Sequence, residues 1–161
     1  MIPATKKDVP LQSGNQHGRR NIPSKREIAV MGESIAAEHM AKLGFALKQK
    51  NWRQGRFAEI DLIFQDSRGL HVFVEVKTRR IEHVAGFPDS GFDCLHWRKK
   101  QKIVIAAQTY LATHSKARQA GQYGGRVDAI IVHYRQAIYL NNQPRLIGTD
   151  IIHVQEAFNV Y

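Results

Sequence analysis

The chain has a single cysteine, Cys94, in 161 residues. One thiol cannot close an internal disulfide, which suits a reducing compartment, so a cytoplasmic location is expected. No apolar run approaches the roughly 18 residues needed to cross a bilayer. No charged-then-apolar leader precedes a small-residue cleavage site either, so neither a membrane partner nor a secretory route is expected. The eight histidines never fall in H-x-H or HExxH spacing. Cys94 and His96 alone are too few ligands for structural zinc. "GQYGG" at 121–125 lacks the lysine and the strand-to-helix context of a phosphate-cradling loop, and reads as a connection. Ser34 and Ser90 have no evident histidine partner, which removes serine chemistry.

Acids are scarce as well. There are 14 against 24 Lys and Arg, a formal charge of +10. A polyanion is therefore the first partner to consider. Residues 1–27 hold six bases and two acids, a net of +4, which leaves +6 on the other 134 residues. The basicity is not confined to one end.

Residues 1–23 are polar, contain Pro and Gly, lack apolar periodicity, and read as a flexible basic tail before a domain at 24–161. "SKRE" at 24–27 has the form of a capping box, with Ser24 as N-cap and Glu27 reaching back. A helix should follow to Leu43 and close at Gly44. Gly32 inside that helix costs stability, so it implies a close approach by another element. "FALKQKNWR" reads as a first strand leading into "RQGR", and strands near 57–65 and 70–78 form a hairpin. Residues 81–95 read as a surface loop, and Trp97 to His114 as a second helix. "RVDAIIVHY" and "AIYLN" are two more strands, and "IIHVQEAF" is a terminal strand or short helix. The fold class expected is α/β (α+β): a mixed central sheet flanked by helices, in the order α-β-β-β-α-β-β.

Charges inside the hairpin need explaining. Between apolar runs, "AEIDLIFQDSRGLHVFVEVKTRR" keeps Glu59, Asp61, Glu75 and Lys77, where burial of charge is costly. A three-residue loop Ser67-Arg68-Gly69, with Gly69 left-handed, would pair Asp66 with Leu70. Asp61 then faces Glu75 and Glu59 faces Lys77. Opposed carboxylates destabilise a sheet unless a proton or a cation lies between them. Oxygen ligands of this kind favour Mg²⁺ or Mn²⁺. Lys77 shares a face with Glu75 and could steady a phosphate oxygen or activate water. For Glu59, the plainer expectation is a cross-strand ion pair with Lys77.

Glu33 shares a helical stripe with Ala36, Ala37 and Met40 and could reach the metal, or it could be a partly exposed surface acid. Lys99 leads the stripe Lys99, Ile103, Ala106 and Tyr110; it could hold phosphate or simply snorkel to water. Arg98, Lys99, Lys100 and Lys102, with Arg53 and Arg56 of the earlier loop, form a candidate phosphate-contact set.

"GESIAAEHMAKLGF", Asn51-Trp52-Arg53, "EIDLI", "VFVEVKTR", "AAQTYL", "RVDAIIV" and "HVQEAF" together resemble the YraN-like family of predicted nucleases. That family is part of the PD-(D/E)XK superfamily, with restriction endonucleases and archaeal Holliday junction resolvases. The resemblance covers residues 32 to 158; Ala58 stands where the family usually has glycine. It implies a restriction-endonuclease-like fold. Asp61 and Glu75, the Val76 carbonyl and Glu33 become metal ligands, and Asp61, Glu75, Lys77 and Glu33 the catalytic set. It also implies hydrolysis of DNA, with branched or flapped forms and a homodimer suggested by the resolvases. The alternative is a nucleic-acid-binding module on a nuclease fold without catalysis.

Overall fold

The computed structural model describes residues 22–55, 58–81, 97–114 and 124–160. The expected tail up to residue 21, Arg56, the loop after Ile81 with Cys94, and most of "GQYGG" lie outside the described residues.

The first helix, α1, is Lys25–Lys42. Its start is the expected reciprocal box: the Ser24 N–H donates to Glu27 Oε2 at 2.8 Å, and the Glu27 N–H donates to Ser24 Oγ at 3.3 Å. Its end is Leu43, followed by Gly44 at φ 87°. Gly32, Ala36 and Met40 form the buried stripe, at the i, i+4, i+8 spacing of one helix face. A Cβ on Gly32 would lie 1.8 Å from Thr78 Oγ1, so the glycine permits the approach its position implied.

Three strands follow: β1 (Ala46–Gln54), β2 (Ala58–Gln65) and β3 (His71–Arg80). Between β2 and β3 the Asp66 N–H donates to the Leu70 carbonyl at 2.9 Å, and Gly69 has φ 93°. The three-residue loop is therefore present, and the observed pairs Leu62↔Val74 through Gln65↔His71 have the expected register. A helix α2 (Trp97–His114) carries the chain to β4 (Gly125–Tyr134), parallel to β3. The remaining strands are β5 (Gln136–Leu140), β6 (Gln143–Ile147) and β7 (Asp150–Asn159).

The main sheet has the order β1-β2-β3-β4-β7, while β5 and β6 form a separate hairpin. The mixed sheet with flanking helices is as expected, but four strands follow α2 where two were expected. "IIHVQEAF" resolves to strand, and β6 is additional. Asn141 and Asn142 both have positive φ, at 51° and 59°, and supply the two-residue turn that makes β5 and β6 a hairpin.

Two apolar layers sandwich the sheet. On one side Ala36 and Met40 of α1 pack with Leu62, Phe64, Val72, Val74, Val76, Ile130 and Val132. On the other, Ile103, Ala106, Ala107 and Tyr110 of α2 pack with Ile60, Ile63, Phe73, Val127 and Ala129. On β3 the even-numbered positions thus face α1 and the odd ones face α2. Ile60 and Ile63 share a side although they are three apart, so strict alternation fails around Asp61.

Candidate active site

The β2–β3 ladder stops at Leu62↔Val74, one step short of the expected Asp61–Glu75 pair. There the Asp61 side chain takes over the strand's role. Its Oδ2 accepts the Val76 N–H at 2.7 Å, so the carboxylate lies in the gap where the two strands part. Val76 therefore meets Asp61 through its N–H; the expectation for Val76 had concerned its carbonyl.

Glu75 points from β3 toward the α2 side, and its side chain is 1% exposed. Lys77 Nζ donates to Glu75 Oε1 at 2.5 Å. Lys99, from the first turn of α2, brings its Nζ to 3.2 Å from Glu75 Oε2. That ammonium is close but not aligned as a donor, and Oε2 is buried with no hydrogen-bond partner. A buried acceptor without a donor normally costs on the order of 1–3 kcal/mol, more when charged. Burial first, and the Glu75 carboxylate second, push the half-buried Asp61 up to about 7. A buried carboxylate oxygen met by an ammonium but by no aligned donor, beside a second carboxylate reluctant to ionise, suits an added cation. The donors are all oxygen, which is the chemistry of Mg²⁺ or Mn²⁺.

Glu33 comes near from α1. Its charge is felt at Asp61, and it accepts a long hydrogen bond of 3.4 Å from Asn51 Nδ2. Among the described residues, however, no three acids, histidines or cysteines close into a metal-holding cluster. Asp61, Glu75, Lys77 and Lys99 are thus brought together, with Glu33 at the margin.

Two expectations change. Glu59 does not pair with Lys77: Arg53, its register partner on β1, reaches Glu59 Oε1 at 2.9 Å. Lys77 is drawn instead to the buried Glu75 two residues away, where the unmet charge is greater. Lys99 does not simply snorkel to water, because its ammonium reaches the buried Glu75. Of the other bases, Arg98 and Lys102 are exposed and Lys100 half-buried at the start of α2. Arg53, largely exposed, is paired with Glu59.

Two residues escaped the sequence reading. Asn51, noticed only as part of a motif, stands on β1 between partners of Leu62 and Ile60, and so opposite Asp61. Arg79, exposed, follows Lys77 on the same face of β3, which alternation alone could have signalled.

No helix among the described residues is long and apolar enough to cross a membrane. Two solved structures show a distant likeness. An EndoMS–dsDNA complex has a TM-score of 0.32 and 15% identity, over 62% of this chain and 35% of that one. Pyrococcus furiosus SfsA with Ca²⁺ has a TM-score of 0.32 and 12% identity, over 77% and 62%. Sequence relatives are nearer. A UPF0102 protein of Caldanaerobacter subterraneus subsp. tengcongensis is 35% identical over 135 residues, 84% of this chain and 97% of the relative. One from Lawsonia intracellularis is 42% identical over 85 residues, 53% and 60% of the respective lengths. Residues 32–132 match the family described as "Uncharacterised protein family UPF0102". The chain belongs to that family, the YraN-like group its motifs resemble.

Proposed function

We propose that this protein is a divalent-metal-dependent nuclease that hydrolyses phosphodiester bonds in DNA, with branched or flapped forms as its substrates. One observation carries the reading: the buried Glu75 carboxylate, flanked by two lysines and Asp61, keeps an oxygen without a hydrogen-bond donor. Buried carboxylates usually have aligned donors on both oxygens, whereas Glu75 Oε2 has only the Lys99 ammonium at 3.2 Å.

Asp61 and Glu75 would hold the ion, with the Val76 carbonyl as a further oxygen. Bound there, Mg²⁺ or Mn²⁺ would supply Lewis-acid polarisation of the phosphate and a more acidic water. Lys77, one-third exposed and hydrogen-bonded to Glu75, is placed to orient the attacking water and to offset charge developing on the phosphate. Lys99 adds a second positive charge on the other oxygen of Glu75. Arg79, two residues beyond Lys77 on β3, and Arg98, Lys100 and Lys102 near the start of α2 would hold neighbouring phosphates, giving salt-dependent and largely sequence-independent binding. The choice of DNA, and of branched forms, rests on the family resemblance.

The test is purified protein with Mg²⁺ or Mn²⁺ on linear, flapped and four-way DNA, beside Glu75→Ala. Cleavage by the parent that disappears in the variant supports the nuclease. Binding that survives the substitution, with no cleavage under either metal, supports a non-catalytic nucleic-acid-binding module instead.

A further inference from the structure

We propose that Asn51 is a positioning residue: its side-chain amide fixes Glu33 beside the metal site as an outer carboxylate, and so sets how tightly the site takes its ion. This rests on the metal-centre reading above. Three independent features of Asn51 support it. First, its register places it across β1–β2 from Asp61, since Lys50 pairs with Leu62 and Trp52 with Ile60. Second, its backbone is left-handed, with φ 50° in the middle of a strand. Asn tolerates that region better than most residues, but a strand interior has no local need for it, so the side chain is re-aimed at a cost. Third, Nδ2 donates to Glu33 Oε2 at 3.4 Å, and this is the hydrogen bond that holds that carboxylate among the described residues.

The result is a link from α1 to β1 at the register position opposite Asp61. Glu33 is one residue from Gly32, where α1 touches Thr78. The backbone of α1 is therefore fixed at this point, and what remains free is where the Glu33 side chain lies. Its negative charge already acts on Asp61. An outer carboxylate strengthens the field for a cation without being a ligand, and loss of such an outer partner typically weakens metal binding about 10–100-fold. Because the Asn51 bond is long, the lower end is expected.

The experiment has a metal-free arm and a metal arm. Without metal, the Asn51 side-chain NH₂ resonances should shift in Glu33→Ala while remote amides stay in place. With metal, Mn²⁺ binding is titrated by electron paramagnetic resonance on the parent, Asn51→Gly, Asn51→Ala, Glu33→Gln and the Asn51→Gly/Glu33→Gln pair. Glycine accepts the left-handed backbone, so Asn51→Gly removes only the amide. It should weaken Mn²⁺ binding about tenfold, as Glu33→Gln does, and the double variant should lose no more than either alone. Parent-like binding by Asn51→Gly, or additive losses in the pair, overturns the role of Asn51 while leaving the metal centre standing. A parent that binds no Mn²⁺ overturns the metal centre itself, and the proposal for Asn51 with it, even where the metal-free link is seen.

Discussion

Two buried carboxylates sit on adjacent parallel strands, and they are treated in opposite ways. Asp128 on β4 pairs with Val74, the residue before Glu75 on β3. Asp128 lies on the α1 side of the sheet and Glu75 on the α2 side. Asp128 is fully buried, and both of its oxygens are filled. Oδ1 accepts the Glu156 N–H at 3.0 Å; Oδ2 accepts Arg126 at 3.1 Å and His153 Nε2 at 2.9 Å. Because a carboxylate only accepts, His153 donates through Nε2, and its Nδ1 is left to meet His39 Nε2 of α1 at 3.1 Å. The arrangement pins β7 at its register shift, where Glu156 has φ 51°, and ties α1 to the sheet. Glu75 is similarly buried, but its Oε2 has only the Lys99 ammonium at 3.2 Å, without an aligned hydrogen-bond donor. Asp128 ties the architecture together, while Glu75 is the carboxylate on which the proposed metal centre rests.

The largest effect expected from breaking this contrast is on activity. Glu75→Gln should reduce metal-dependent cleavage by on the order of 10³-fold or more, a loss of the size seen when a principal electrostatic stabiliser is removed. Its metal-free melting temperature should be no lower than the parent's. Asp128→Ala should do the reverse, costing about 3–5 kcal/mol in urea unfolding because Arg126 and His153 are left buried without their acceptor.

Acidity sharpens the same contrast. Asp61 is raised to about 7 in the native state from 3.8 when unfolded, so between those values the native chain holds a proton that the unfolded chain has lost. That stabilisation is complete below 3.8 and is lost as pH rises through 7. The metal-free parent should lose more melting temperature between pH 5 and 8 than Asp61→Asn, at about 2–4 °C per kcal/mol, and Mg²⁺ should remove the difference. Near Asp128 the sign is opposite. Burial, then His153 and Lys42, hold the His39 imidazole below its usual range. Its contribution is lost as pH falls toward acid, which a His39→Gln variant should flatten.

Smaller effects test the supports. Gly32→Ala should cost about 1–3 kcal/mol by overpacking Thr78, and combination with Thr78→Ala should recover part of it. Lys77 and Lys99 are tied to Glu75, whereas Arg79 and Lys102 have no acidic partner among the described residues. Arg79→Ala and Lys102→Ala should each reduce the salt dependence of oligonucleotide binding by about one charge, leaving the fold untouched.

Much of this was readable from the chain because it depended on near neighbours. The Ser24–Glu27 box, the Gly69 loop and the β2–β3 register from Leu62↔Val74 to Gln65↔His71 are all set within a few residues or by one turn. Gly32 announced a contact though not its partner. What escaped reading depends on elements far apart in sequence. Lys99 joins the site only because α2 packs across β2, next to β3. Glu59 chose Arg53 because β1, not β3, continues alongside it. Asp128 looked like one more residue in "RVDAIIV", since nothing local reveals that His153 and the Glu156 amide converge on it. The β5–β6 hairpin was missed for a different reason: its Asn-Asn signal was present but read as a strand end.

The parallel pairing of β3 with β4 matches His71 to Gly125, far along the chain, and Lys99 lies between them. During synthesis the acids of the hairpin emerge well before the helix lysine and the strand that bury them. Long-range closure of this kind is slow relative to hairpin formation. A site built this way is assembled only once β4 has left the ribosome, so a shorter product carries the acids of the hairpin without the elements that bury them.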